Sequence, residues 1–134
     1  MKCCVSILNL HVFKFKKNKP EISLNWINLE SEGQLNQAIE DSKEKAVVLF
    51  KHSTRCGISS MALDRLNSNS DLPSSEADFY YLDLLRFRPI SNIISEKLSI
   101  QHESPQIILM RNGEITYHDS HNGIQPRELL RQIR

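Results

Sequence analysis

Two kinds of hydrophobic spacing alternate along the first half of the chain. Ser31 and Gln34 match a capping box, and the apolar residues after them recur at helical spacing, which predicts a helix over Glu32–Ser42. The next apolar run, Ala46–Phe50, is continuous and rich in β-branched residues, as is typical of a strand covered on both faces. Helical spacing returns over Ile58–Leu66 after a short polar segment. The pattern therefore predicts a helix, a buried strand and a second helix.

The second half of the chain continues this alternation and then changes to a hairpin. Phe79–Leu84 predicts another buried strand, and Pro89–Leu98 predicts a helix opened by its proline. Asn112-Gly113 is the sequence most typical of a two-residue β-hairpin turn, and Pro126 stands where a last amphipathic helix can begin. The hairpin strands are predicted over Ile107–Met110 and Ile115–Tyr117.

These elements together predict an α/β domain with a thioredoxin-like fold, in which a central mixed β-sheet is flanked by helices. A β-α-β unit followed by a hairpin and a terminal helix has this order of elements. A leading helix, and an edge strand near Trp26, would precede it. Because a fold by itself does not determine an activity, the function has to be argued from individual residues.

The composition suits one globular domain with little charge bias. The chain has 134 residues, of which 40% are hydrophobic and 25% are charged, and its formal net charge is +1. Such a small net charge does not predict nucleic acid or an anionic membrane as a partner.

The N-terminal segment is expected to lie outside the domain. Its apolar stretch Cys3–Phe13 is followed by lysines instead of being preceded by them, and it is shorter than the roughly 18 apolar residues of a membrane-spanning helix. We therefore expect residues 1–23 to form an arm or additional strand, and residues 24–134 to form the thioredoxin-like domain. Because Cys3 and Cys4 are adjacent, they suit a structural disulfide poorly, and a reducing cytoplasm is the expected location.

Cys56 stands between the central strand and the second helix. Backbone amides and the positive dipole end at a helix N-terminus favour a thiolate over a thiol, so a cysteine in this position is a candidate nucleophile. Arg55 adds a cation that could reach the thiolate or an anionic substrate. In the spacing Cys56-Gly57-Ile58-Ser59, serine occupies the place of the second cysteine of a dithiol oxidoreductase. The Ser59 hydroxyl could donate a hydrogen bond to the sulfur, but a mixed disulfide at Cys56 must await an external thiol.

Three separated motifs resemble those of the monothiol bacilliredoxins, the YtxJ family of the bacillithiol system. The motifs are Lys51–Ser59, His102–Gln106 and Ser120-His121, and the similarity extends over about residues 24 to 134. The resemblance implies a thioredoxin fold and an enzyme that removes bacillithiol from S-bacillithiolated proteins. It also implies that Cys56 is the attacking thiol. Bacillithiol or another low-molecular-weight thiol would then be a co-substrate, S-thiolated proteins would be the partners, and no cofactor would be tightly bound.

The same resemblance assigns expected roles around Cys56. Thr54, Arg55, Gly57 and Ser59 would support it as the active-site loop. In thioredoxin-like folds a cis-proline begins the strand that faces the active cysteine, and Pro105 stands at the matching place. We therefore expect a cis Ser104–Pro105 bond, with Ser104 and Pro105 binding the chain that carries the substrate disulfide.

Two other functions remain open on the sequence. Cys-Gly-Ile-Ser differs by one residue from the Cys-Gly-Phe-Ser loop of monothiol glutaredoxins, which share an iron–sulfur cluster between two protomers. The glutaredoxin Thr-Val-Pro and Gly-Gly-x-x-Asp patterns are missing, which favours thiol exchange. A non-catalytic adaptor that uses the fold as a binding surface is the third candidate. No metal site is predicted, because the spacings of His102, His118 and His121 match no closed zinc pattern.

Overall fold

A computed structural model describes residues 24–69 and 71–134, which form a five-stranded mixed sheet with helices on both faces. The predicted N-terminal arm, residues 1–23, lies outside the described residues. The strands are β1 (Trp26–Asn28), β2 (Ala46–His52), β3 (Ala77–Asp83), β4 (Gln106–Arg111) and β5 (Glu114–Ser120). The helices are α1 (Glu32–Asp41), α2 (Gly57–Asn67), α3 (Arg88–Leu98) and α4 (Pro126–Ile133), with a short 3-10 turn at His121–Gly123.

The sheet has the strand order β1-β3-β2-β4-β5. Strands β1, β3 and β2 are parallel to one another, whereas β4 is antiparallel to β2 and β5 is antiparallel to β4. This arrangement confirms the predicted mixed sheet and the predicted edge strand at Trp26. At the hairpin, Asn112 and Gly113 both have positive φ, as the predicted two-residue turn requires.

Strand β2 lies at the centre of the sheet and is buried at every position. Alternate residues point to opposite faces, so Val48 and Phe50 pack with α2 and α4, while Val47 and Leu49 pack with α1 and α3. The strand is two residues longer than predicted, because Lys51 and His52 continue it. These two polar residues are themselves buried, which a hydrophobic pattern cannot indicate.

The ends of the helices follow local capping chemistry. Ser31 caps α1 by accepting the Gln34 N–H at 3.1 Å, as predicted. Helix α1 ends at Asp41 and not at Ser42, which is its C-terminal cap, and α3 begins at Arg88, one residue before Pro89. No helix within residues 24–69 and 71–134 is long and apolar enough to cross a membrane.

Two residues of α2 test how much of the stability comes from the face that it packs on the sheet. Leu66 is 0% exposed in the core, whereas Met61 is 61% exposed. We expect Leu66→Ala to lower the free energy of unfolding by about 3 kcal/mol through lost burial and the cavity left behind. Met61→Ala should change it by less than about 0.5 kcal/mol. Urea denaturation followed by circular dichroism measures both, and equal losses would contradict the described packing of α2.

Candidate active site

Cys56 is the N-terminal cap residue of α2 and its thiol is free. Its backbone is extended, its N–H donates to the Ser53 carbonyl at 3.1 Å, and its carbonyl accepts the Ser60 N–H at 3.0 Å. The side chain makes no capping hydrogen bond to α2, and the residue is partly exposed. The backbone of Cys56 is therefore hydrogen-bonded on both sides, while its side chain carries a free thiol on a partly exposed residue.

The first turn of α2 provides a positive electrostatic environment. Its leading backbone N–H groups have no acceptor within the helix, and the turn contains no acidic side chain that would neutralise the positive dipole end. A negative charge on the Cys56 sulfur would lie directly at this end. The arrangement has the features that the sequence predicted for a cysteine nucleophile.

Ser59 is fully buried and links both sides of the Cys56 loop. Its Oγ accepts the Ser53 N–H at 3.0 Å and lies 2.7 Å from His52 Nδ1. Burial lowers the pKa of His52, against the opposing effect of the Asp83 carboxylate, so the ring is neutral at pH 7. A neutral Nδ1 can accept the Ser59 O–H while the Ser59 Oγ accepts the Ser53 N–H.

This geometry corrects the expectation that Ser59 donates a hydrogen bond to the sulfur. Its hydroxyl is engaged by His52 and Ser53 instead, within the described part of the chain. His52 and Ser53 provide hydrogen-bond partners beside the buried Ser59 hydroxyl. Ser59 therefore holds the loop in shape.

The other predicted loop residues lie at the surface. Thr54, Arg55 and Gly57 are all exposed, and a Cβ added at Gly57 would meet nothing within 4 Å. No steric constraint at this position therefore requires glycine. Thr54 and Arg55 line a surface depression together with Asp83, Leu85 and Arg86.

Ser104 and Pro105 lie at the start of β4, next to the end of β2. The Ser104–Pro105 peptide bond is cis, as predicted. Gln106 pairs with Lys51 in the antiparallel register, which places Pro105 across from the segment that leads to Cys56. The Pro105 carbonyl accepts the His121 N–H at 3.1 Å, and the buried Ser104 Oγ has no hydrogen-bond partner among the described residues.

A second polar group, which the hydrophobic pattern does not indicate, joins the buried Lys51 and Ser91 to the exposed His102. Its side chain is 0% exposed, and its Nζ lies 2.7 Å from His102 Nδ1. The Oγ of the buried Ser91 lies 3.3 Å from His102 Nδ1. Burial, with a smaller contribution from Arg88, lowers the pKa of Lys51 to about 8, and burial also lowers the pKa of His102. The group ties β2 to the segment that leads to Pro105.

The described residues contain no cluster of three or more His, Cys, Asp and Glu side chains that could hold a metal ion. Cys56, His102, His118 and His121 all lie within these described residues, 24–69 and 71–134.

Comparison with known proteins identifies both the family and the fold of this chain. The family model described as monothiol bacilliredoxin BrxC matches residues 27–129. A solved thioredoxin-fold protein described as a candidate oxidoreductase is 33% identical, with a TM-score of 0.70, over 84% of this chain and 95% of its own.

Two more distant structures show the fold alone. Thioredoxin from Malassezia sympodialis is 22% identical with a TM-score of 0.61, over 79% of this chain and 85% of its own. Thioredoxin from Nicotiana alata is 19% identical with a TM-score of 0.63, over 83% of this chain and 91% of its own. The predicted thioredoxin-like fold is confirmed.

Ser59→Ala tests whether the Ser59 hydroxyl holds the Cys56 loop. The change leaves the Ser53 N–H and His52 Nδ1 without their partner, so we expect the free energy of unfolding to fall by about 1–3 kcal/mol. Ser60→Ala is the matched control, because Ser60 lies in the same turn and is exposed. Urea denaturation measures both variants. Equal stability of the two would show that the buried hydroxyl contributes nothing.

The buried ammonium of Lys51 makes a prediction about pH. The unfolded chain keeps the ordinary pKa of 10.5 while the folded protein has about 8. Between these values the unfolded state binds more protons, so rising pH stabilises the fold. Relative to Lys51→Met, wild type should gain up to about 3 kcal/mol as the pH rises through this window. Urea denaturation from pH 7 to 10 measures the gap.

Lys97→Met is the control for this experiment, since Lys97 lies exposed on α3. The difference in free energy of unfolding between Lys97→Met and wild type should stay constant over this pH range. A constant gap between wild type and Lys51→Met would show that Lys51 titrates as an ordinary surface lysine.

Proposed function

The chain belongs to the monothiol bacilliredoxin family, and from this membership we propose that it removes bacillithiol, or a similar low-molecular-weight thiol, from protein mixed disulfides through Cys56. The family and the thioredoxin fold support a thiol redox function of the oxidoreductase type. The proposal adds the substrate, the residue that reacts and the order of the steps.

The proposal rests on the pairing of a free thiol on the partly exposed Cys56 with a buried serine three positions later. The sulfur makes no capping bond, and it lies at a helix N-terminus with no neutralising carboxylate in the first turn. Ser59 cannot form a disulfide, and its hydroxyl is held by His52 and Ser53. The site therefore suits attack on a disulfide without subsequent resolution by the same loop.

The first step exchanges one disulfide for another. The Cys56 thiolate attacks the sulfur of the small thiol within the protein mixed disulfide, so that a bond forms between these two sulfurs and the original disulfide bond breaks. The client sulfur leaves as a thiolate and takes up a proton from solvent. The small thiol is then bound to Cys56, and the client sulfur has returned to the thiol level while the Cys56 sulfur has risen to the disulfide level.

The second step needs an external thiol. A second molecule of a low-molecular-weight thiol attacks the adduct, releases the Cys56 thiolate and leaves as a symmetrical small-molecule disulfide. The electrons thus come from the external thiol pool. The proposal includes a reducing cytoplasm as the location, S-thiolated proteins as partners, and no tightly bound cofactor, nucleic acid or membrane.

Replacing cysteines in the full chain tests the proposal. We expect Cys56→Ser to release no client thiol from a bacillithiolated protein and to form no adduct. The double variant Cys3→Ser/Cys4→Ser retains Cys56 as its only cysteine and should react within about twofold of wild type, because neither residue belongs to the proposed site. Intact mass spectrometry detects the adduct, and a thiol-reactive dye measures client release.

The two alternative functions, adaptor and iron–sulfur carrier, predict different results for the same variants. An adaptor would leave the client unreduced with every variant. An iron–sulfur carrier would give coloured protein after anaerobic reconstitution with iron, sulfide and a small thiol, and its colour would be lost in Cys56→Ser. Either result, together with absent client release by wild type, would overturn the exchange proposal.

A further inference from the structure

The loops that follow β2 and β3 lie side by side at one edge of the sheet. His52 and Asp83 are register partners at the ends of these parallel strands, and the Leu84 N–H donates to the His52 carbonyl at 3.0 Å. Crevices at the carboxyl ends of parallel strands are the usual ligand sites of α/β sheets. The Cys56 loop therefore has a specific neighbour, the segment 84–87.

Between the two loops lies a depression of about 420 Å³, lined by Thr54, Arg55, Asp83, Leu85 and Arg86. Thr54 and Arg55 directly precede Cys56 in the chain, so one wall of the depression belongs to the segment that leads to Cys56. Its volume falls within the range of about 300–1,000 Å³ that is typical of small-molecule sites. Leu85, which is 40% exposed, contributes an apolar surface.

The charged groups of this depression are arranged for a ligand with both signs of charge. Within the described residues, neither Arg55 nor Arg86 forms an ion pair with a carboxylate. The Arg86 guanidinium lies 5.3 Å from the centre of the Phe87 ring, a cation–π contact that restricts its position. Asp83 Oδ1 accepts the Arg86 N–H at 3.3 Å, which fixes the turn and leaves the second carboxylate oxygen open to a donor.

We propose that this depression binds the part of the small thiol that does not carry the reacting sulfur. Carboxylate groups of the thiol bind the guanidinium groups of Arg55 and Arg86, and its ammonium group binds Asp83. The inference rests on the proposed function, because it assumes that Cys56 reacts with a small thiol. It assigns the recognition of the charged groups of the thiol to Arg55, Arg86 and Asp83.

A set of four peptide mixed disulfides tests the charge requirement. The adducts carry cysteine, N-acetylcysteine, cysteamine or N-acetylcysteamine, which together present a carboxylate and an ammonium, a carboxylate, an ammonium, or neither. Second-order rate constants for release of the peptide thiol are measured for wild type, Arg55→Gln/Arg86→Gln and Asp83→Asn. Arg127→Gln/Arg134→Gln, which removes two exposed arginines at the C-terminal end of the chain, is the charge-matched control for the double variant.

We expect the double arginine variant to lose at least about tenfold more rate with the two carboxylate adducts than with N-acetylcysteamine, since one charge-assisted hydrogen bond is worth about a factor of ten. Asp83→Asn should selectively slow the two ammonium adducts. Arg127→Gln/Arg134→Gln should follow wild type with all four adducts.

The outcomes separate this inference from the proposed function. If wild type releases the peptide thiol from every adduct and the variants slow all four adducts equally, the binding site is refuted while exchange at Cys56 stands. Unchanged rates in the variants would refute it as well. If wild type releases the peptide thiol from none of the adducts but still releases a bacillithiolated client, charge recognition in this depression is refuted while exchange at Cys56 stands; failure with the bacillithiolated client as well overturns both.

Discussion

The complete burial of β2 is the constraint on which the site depends. All seven of its residues are buried, including two polar ones at the end that leads to Cys56. A buried polar group that lacks a hydrogen bond costs several kilocalories per mole, so Lys51 and His52 must find partners inside the protein. The partner of Lys51, His102, is 51 residues away in the sequence, whereas the partner of His52 is the nearby Ser59 in the first turn of α2.

The two polar residues point to opposite faces of the sheet and fix different parts of the site. His52 bonds the Ser59 hydroxyl and so connects the strand to the first turn of α2, which carries Cys56 at its cap. Lys51 bonds His102 and so connects the strand to the segment that leads to Pro105. The reactive cysteine and the proline loop are thus both held by consecutive residues of one strand.

The sequence predicted the elements whose hydrophobic spacing is regular, the Asn112-Gly113 turn and the placement of Cys56 before a helix. It did not predict the full length of β2, because Lys51 and His52 are polar and their burial depends on contacts made across the sheet. The same limit applies to the depression beside Cys56, since the approach of Asp83 and Arg86 follows from strand register. The domain boundary at residue 24 stays a prediction.

Ser59 connects the stability of the Cys56 loop to the monothiol exchange proposed for Cys56. A cysteine at this position would provide a second thiol, but a thiol is a weak donor and a weak acceptor, and it would replace a hydroxyl that satisfies two buried groups. The Ser53 N–H and His52 Nδ1 would then be poorly satisfied beneath the reactive loop. The packing around Cys56 therefore favours serine over a second cysteine at position 59, which is consistent with the external thiol of the proposed second step.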